Sequence, residues 1–296
     1  MMEFSRRNVL RSAGVAAVGA ALAGWASGCS TVPAGGSPQS PAGKLLDTAK
    51  SQGFLRVAIA NEPPYTQVGT DGTVSGCEPD VLRAVCQRMG IKDIQGVVTP
   101  YASMIPGLDA NRWDVIAAGL FMKQSRCGQV DYSEPVIVST ESFGTPKGNP
   151  KGITSVASIT ADPSLRIAVL PGGFEEGILK TAKVPDAQQV KVADGRSGIE
   201  AIKANRADAF LLPTLSLRAL AKDDAGFDVS EALKDAPRTG SGAAFRKSDA
   251  SFHDAYNKEL TAFKQTNDFS DILKKWGFDP SVVQGVTTQE LCQTAG

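Results

Sequence analysis

From Lys44 onward, short apolar runs alternate with stretches whose apolar residues recur three and four positions apart, and the pattern occurs twice. In the first series, Leu55–Ala60 reads as a strand, closed by the turn-like segment Asn61-Glu62-Pro63-Pro64-Tyr65. Glu78–Met89 places Val81, Leu82, Val85 and Met89 at helical spacing and stops at Gly90. Val97–Thr99 predicts a second strand, Met104–Ala110 a short helix and Trp113–Ala118 a third strand. Strands that alternate with helices must run parallel, because each helix carries the chain back across the sheet and covers a face. The second series repeats the order. Strands are predicted at Arg166–Leu170, Val190–Val192 and Ala209–Leu212, with helices at Phe174–Lys180, Gly198–Ala204 and Leu215–Ala221.

Two extended stretches, Val136–Phe143 and Gly242–Phe245, lie between and after the series, and two helices, Phe252–Phe263 and Phe269–Trp276, follow. Two similar α/β units joined by two extended crossings predict a bilobed α/β protein with a cleft at its hinge. The boundaries expected are 44–138 with 243–296 for lobe 1, and 139–242 for lobe 2. One continuous doubly wound enzyme domain is the competing architecture. In open α/β sheets ligands sit beyond the carboxyl ends of the strands. The loops after Ala60, Thr99, Ala118, Leu170 and Leu212 should therefore line the cleft.

Ahead of this body stands an export address. Arg6-Arg7 precedes an Ala/Gly-rich apolar run from Val15 to Ala26, the twin-arginine form of a signal. The run meets Ala26-Ser27-Gly28-Cys29, which is similar to the cleavage box of bacterial lipoproteins, where the cysteine thiol is acylated. Residues 1–28 are thus expected to be a removable signal, Cys29 the lipidation site and 29–43, rich in Pro, Gly and Ser, a flexible tether. A retained membrane anchor is the weaker reading, since Gly14, Gly19 and Gly24 make a poor hydrophobic helix. The whole chain balances 31 basic against 31 acidic residues. Loss of the signal leaves 296 − 28 = 268 residues, with 28 bases against 30 acids. Near-neutral charge argues against a nucleic-acid partner. One histidine, His253, leaves little scope for a histidine-rich metal site or a Ser–His–Asp triad, and the cysteine spacings match no zinc pattern. No metal and no cofactor are expected.

Four strand-end segments carry unusual groups. Asn61–Tyr65 offers a carboxylate, Glu62, and a ring, Tyr65, on a loop stiffened by two prolines. Pro100-Tyr101 follows a strand directly. Gly119–Arg126 sets Phe121, Lys123 and Arg126 within eight residues of another. Pro171-Gly172-Gly173-Phe174 is a glycine turn that opens a helix, where backbone N–H groups can hold an anion.

These segments, with Val130-Asp131-Tyr132-Ser133-Glu134-Pro135, resemble the polar amino-acid class of ABC-importer solute-binding proteins. Within that class the chain is most similar to the ectoine/hydroxyectoine-binding proteins. That likeness rests on Ala60–Tyr65, Thr99-Pro100-Tyr101, Ala117–Phe121, Arg126-Cys127, Pro146–Gly152, Leu215–Arg218 and Thr287–Cys292. The resemblance implies the type II periplasmic-binding-protein fold and an aromatic cage of Tyr65, Tyr101 and Phe121. It implies that Arg126 grips a ligand carboxylate, and that the partners are a permease and an ATPase. Amino-acid binders of this class carry a threonine at Lys123 and, at Pro213, an aspartate that holds the α-ammonium. Their replacement here argues against a standard amino acid, because a buried ammonium would lose its partner. A zwitterion whose cation is delocalised in a ring fits better: the cage attracts a diffuse cation, Glu62 accepts its N–H groups, and Arg126 forks onto its carboxylate.

Lys123 is expected either on that carboxylate or as a solvated rim cation, and Phe174 either over the ligand or packed in lobe 2. Asn61, Gly172 and Gly173 contribute at most backbone donors. Of the cysteines beyond Cys29, Cys127 follows the arginine and Cys292 lies in the tail, so a bridge between them could staple the tail near the cleft. Cys77 and Cys86 lie too far apart along one helix to bond. Polar amino-acid binding remains the alternative, as does an exported cyclohexadienyl-dehydratase-like enzyme on the same scaffold. The expected protein is a monomeric binder, held by its lipid outside the cytoplasmic membrane.

Overall fold

Three of the first series' strands form the parallel core of one sheet. The structure, a computed structural model, describes residues 44–224 and 226–295. The expected signal (1–28), the lipidation site Cys29 and the tether (29–43) lie outside the described residues. The first sheet runs in the order Asp93–Val98, Phe54–Ile59, Val115–Ile116, Ala244–Phe245, Asp131–Tyr132. Its first three strands are parallel, and Ala244–Phe245 runs antiparallel to both its neighbours. The second sheet repeats the plan in the order Gln189–Lys191, Ile167–Val169, Ala209–Pro213, Glu141–Pro146, Phe227–Val229. Again three parallel strands are followed by an antiparallel one, Glu141–Pro146, set against Ala209–Pro213 with Pro213 opposite Glu141.

A two-stranded antiparallel ribbon, Ile137–Ser139 with Thr239–Ser241, joins the two sheets. Here the structure corrects the sequence reading. Ala244–Phe245 belongs to the first sheet, so the second crossing lies at Thr239–Ser241 rather than at Gly242–Phe245. Gly240 lets the ribbon close, since a Cβ there would stand 2.3 Å from the Ile137 carbonyl oxygen. The extended stretch 136–143 also divides, its first part in the ribbon and Glu141–Phe143 in the second sheet.

The helix Cys77–Arg88 buries Cys77, Val81, Leu82, Val85 and Cys86 on one face, the three-and-four spacing read from the sequence. The C-terminal helices Ala250–Phe263 and Asn267–Lys275 pack on it, so the end of the chain returns to the first sheet. His253 sits there against Phe245, with Nε2 at 2.9 Å from the Tyr132 carbonyl oxygen. Two helix starts in the second unit are capped by side chains, Ser155 on Ser158 N and Asp194 on Ser197 N, each reciprocated as a capping box. A disulfide joins Cys127 to Cys292, Cα to Cα 5.8 Å, while Cys77 and Cys86 are free and buried. The bridge fastens the short helix Thr288–Leu291 beside Gln124–Cys127, and Gln124 N donates to the Thr294 carbonyl. No helix among the described residues is long and apolar enough to cross a membrane.

Candidate functional site

The loop after Phe54–Ile59 turns through Asn61, whose φ of 52° is left-handed and whose Oδ1 accepts from Val68 N. That turn sends the next side chain, Glu62, inward. Glu62 is only 7% exposed; Oε1 accepts from Ser216 Oγ at 2.6 Å and Oε2 from Tyr101 OH at 3.3 Å. Ser216 lies on the helix Thr214–Asp223 of the second unit, so this contact crosses the cleft. Burial, and Glu175 opposite, push the Glu62 carboxyl up to about 7 against the pull of those two hydroxyls. The Tyr101 hydroxyl also reaches the Ala118 carbonyl at 3.1 Å, and the ring packs against apolar clusters of both units.

Tyr65 is buried, its hydroxyl 2.6 Å from Ser139 Oγ in the ribbon. Its ring meets Phe121 edge-on at 5.5 Å and Phe278 at 5.1 Å. Phe121 in turn meets Phe174 at 5.8 Å. Four rings therefore run in a row from the C-terminal region through the first unit to the second. Tyr101 stands outside this row and joins the group through its hydroxyl. Gly119, with φ of 67°, carries the chain past Tyr65, whose ring a Cβ would approach to 3.2 Å.

Arg126 ends the one-turn helix Gln124–Cys127 and is 5% exposed. Nη1 donates to the Phe121 carbonyl and Nη2, across the cleft, to the Gly172 carbonyl, each at 2.6 Å. A guanidinium has five N–H donors, so three remain. Lys123 is half-buried. Burial first, then the neighbouring Arg126, lowers its ammonium to about 8, opposed by Glu175 and Glu176. It thus lies within the fields of Arg126 and of those two acids.

The glycine turn behaves differently from the sequence reading. Gly172 N donates to Glu176 Oε2 at 2.7 Å and Gly173 N to the Leu170 carbonyl at 3.1 Å. The two donors expected to hold an external anion are engaged within the loop, which supplies its own carboxylate. The carbonyl of Gly172 faces the cleft instead. Its φ is 73°, and a Cβ would lie 2.6 Å from Ala102 N on the first unit, so backbones of the two units touch there.

Three buried acids were not singled out from the sequence. Glu78, at the start of Cys77–Arg88, accepts from Gly119 N at 2.8 Å and from Ser241 Oγ, and burial raises it to about 7. Glu141 begins the strand Glu141–Pro146, and Glu175 lies in the first turn of the helix Phe174–Thr181. Burial pushes both carboxyls up, Glu141 further because Glu175 and Glu62 repel its charge, whereas Arg126 and Lys123 draw Glu175 back down. One signal for Glu141 was available: it is the single charge in the run Val136–Phe143.

Glu62, Glu141 and Glu175 thus converge with Arg126, Lys123 and the rings between two α/β units. Such an arrangement can enclose a compact solute bearing both signs of charge. A cavity of about 340 Å³ opens beside it, lined among others by Glu62, Tyr101, Pro171 and Asp194. Cavities of about 670 and 690 Å³ lie elsewhere and touch neither Glu62 nor Arg126. No group of three or more His, Cys, Asp or Glu side chains among the described residues is arranged for a metal ion.

Comparison with known proteins gives a concordant result. Residues 55–279 match the family model of the bacterial extracellular solute-binding proteins, family 3. The chain is 33% identical over 258 residues to the probable amino-acid ABC transporter periplasmic-binding protein y4tE of Sinorhizobium fredii (strain NBRC 101917 / NGR234), covering 83% of this chain and 85% of that one. It is 26% identical over 247 residues to the L-arginine-binding protein of Pseudomonas aeruginosa, covering 78% and 90% of the two chains. Among solved structures, the crystal structure of EhuB in complex with hydroxyectoine matches with a TM-score of 0.82 at 40% identity, covering 85% of this chain and 98% of that one.

Proposed function

The chain belongs to the bacterial extracellular solute-binding proteins of family 3, and we propose that this member captures ectoine or hydroxyectoine. At the coarser level it is a solute-binding protein of an ABC importer for amino acids or related solutes, a binder rather than an enzyme. Its class hands a small ligand to a permease driven by an ATPase.

The observation that carries the finer reading is the company of the Tyr101 hydroxyl. It donates towards Glu62 and lies within the fields of Glu175 and Arg126, so one ring borders both the acidic and the basic ends of the cleft. A ligand in that space needs a cation at one end and a carboxylate at the other. A cyclic amidinium spreads its charge over two nitrogens and is weakly hydrated. Against the faces of Tyr65, Tyr101 and Phe121 it gains about 0.5–2 kcal/mol per good contact. A compact ammonium, more strongly hydrated, loses more on entering the same space. The three N–H donors left on Arg126 suffice for a forked grip on the carboxylate. The 40% identity to a protein crystallised with hydroxyectoine supports the same ligand class.

Binding works by closure. Glu62 with Ser216, and Arg126 with Gly172, join the lobes directly, and a ligand touching both sides adds to these bonds in the closed state alone. The hinge is the ribbon Ile137–Ser139 with Thr239–Ser241. Gly172, Gly173 and Phe174 shape the far wall, and Lys123 adds positive potential near the carboxylate. Acylated Cys29 anchors the protein outside the cytoplasmic membrane. Calorimetric titration with ectoine, hydroxyectoine, proline betaine and polar amino acids tests the reading. The two ectoines should bind tightest. Tighter binding of an amino acid with a free α-ammonium would overturn it, and so would ligand consumption with product formation.

A further inference from the structure

Glu141 is 1% exposed, and neither of its carboxyl oxygens receives a hydrogen bond from a donor among the described residues. Such a group is costly unless something answers it. Its surroundings show where it faces. Glu175 of the second lobe lies within hydrogen-bonding reach, and Glu62 and Tyr65 of the first lobe share its electrostatic field. The side chain is therefore directed into the cleft, between the lobes. In the sheet it sits directly opposite Pro213. The neighbouring strand thus supplies a carboxyl beside the very place where the amino-acid binders carry their acid.

Glu62 and Glu141 differ in one respect that matters for a ligand. Both oxygens of Glu62 already accept a hydroxyl, from Ser216 and from Tyr101, whereas no hydroxyl or N–H donor among the described residues reaches the Glu141 carboxyl. Two carboxyls within hydrogen-bonding reach cannot both ionise cheaply, so Glu141 and Glu175 share one proton until a cation arrives. Groups that face the pair are Glu62 and Tyr65 on the Glu141 side, and Arg126 and Lys123 on the Glu175 side. The two basic groups favour the charge on Glu175 and leave the proton on Glu141.

We infer that Glu141 is the second-lobe acid that receives one N–H of the ligand's cation, and that it releases to solvent the proton it shares with Glu175 when the ligand binds. This rests on the ligand class proposed above. An amidinium presents two N–H groups; Glu62 takes one and Glu141 the other. The ionised Glu62, Glu141 and Glu175 then face Arg126, Lys123 and the amidinium, with the ligand carboxylate on the guanidinium. A quaternary ammonium, which has no N–H, gains no hydrogen bond from Glu141.

The test is calorimetry on the full chain with ectoine, hydroxyectoine and proline betaine, in two buffers of different ionisation enthalpy, between about pH 6 and 8. Wild-type protein should release protons on binding the ectoines, with affinity falling by up to about tenfold per pH unit on the acid side. Glu141→Gln should weaken ectoine by at least about tenfold, reduce the proton release to what Glu62 alone gives up, and weaken proline betaine by less than ectoine. If wild-type protein binds neither ectoine, the functional reading falls and this inference with it. If wild-type protein binds but Glu141→Gln retains its affinity or the full wild-type proton release, the inference alone is overturned. Should Glu141→Gln fail to fold by circular dichroism, the wild-type buffer dependence decides: no proton released overturns the assignment.

Discussion

Gly172→Ala is the perturbation that most directly probes closure. At this position a Cβ would come within 2.6 Å of Ala102 N and 2.7 Å of Ala102 Cα, where ordinary contact begins at 3.4 Å. The shortfall is 3.4 − 2.6 = 0.8 Å, and the obstructing atoms are backbone at the start of the helix Tyr101–Asp109, so no side chain can swing aside. Two costs follow, and they fall on different equilibria. The φ of 73° costs an alanine about 1 kcal/mol wherever the turn persists, in open and closed forms alike, and so lowers stability without touching affinity. The clash exists only when the lobes meet. Overpacking of this kind costs about 1–3 kcal/mol, which weakens binding by roughly 5- to 150-fold. Relaxing the clash also stretches the Arg126–Gly172 bond, which starts at 2.6 Å. Calorimetric affinity for ectoine measures the second cost, thermal melting of the unliganded protein the first, and small-angle scattering with saturating ligand the degree of closure. An unchanged affinity with unchanged compaction would refute the claim that closure at Gly172 is part of binding.

Other perturbations address separate parts of the molecule. Arg126→Lys removes the fork that reaches the Phe121 and Gly172 carbonyls and is proposed to hold the ligand carboxylate, and should weaken ectoine by about tenfold or more; equal calorimetric affinity rules out the proposed role. Replacing Cys127 and Cys292 by serine opens a covalent loop spanning 165 residues of sequence. A loss of about 2–4 kcal/mol, or roughly 5–15 °C in Tm, should result, and an unshifted melting curve contradicts it. Glu78 titrates at about 7 in the fold against an ordinary value of 4.5, so from pH 4.5 to 7 the unfolded chain loses its proton first. Stability therefore falls as pH rises through that window and levels off above it, by about 3 kcal/mol for this group. Glu78→Gln should flatten that fall; a melting profile whose pH dependence is unaltered shows that another group is responsible.

Much of the architecture was legible because it rests on local periodicity. The helix Cys77–Arg88 buries the very positions that its spacing marks, and the βαβ order demands parallel strands whatever their partners. The crossings were harder. Val136–Phe143 opens on three β-branched residues, yet whether such a run pairs in a ribbon or joins a sheet depends on partner strands far away in the sequence, at Thr239–Ser241 and Ala209–Pro213. Gly242–Phe245 misled for the same reason: extended backbone is visible in sequence, but Ala244 pairs with Ile116 and Tyr132, and neither neighbour is local.

Glu62, Tyr65, Tyr101, Phe121 and Arg126 were legible as candidates because their loops follow predicted strand ends, and the roles expected of the rings and of Arg126 came from the resemblance. Glu141 lies at the start of a strand, and the face it occupies is set by its pairing with Pro213; a slip of one residue would send it to the other side of the sheet. Ser216 meets Glu62 across 154 residues of sequence, a contact no motif encodes. The glycine turn shows the converse error. A helix start preceded by Gly-Gly does favour an anion, and the chain satisfies that preference with Glu176. A search by position finds proline where an acid belongs and counts the acid as lost. A search by place finds Glu141 on the adjoining strand, facing the same cleft. Ligand class in this scaffold is thus better argued from which charges reach the cleft than from which motif positions are kept.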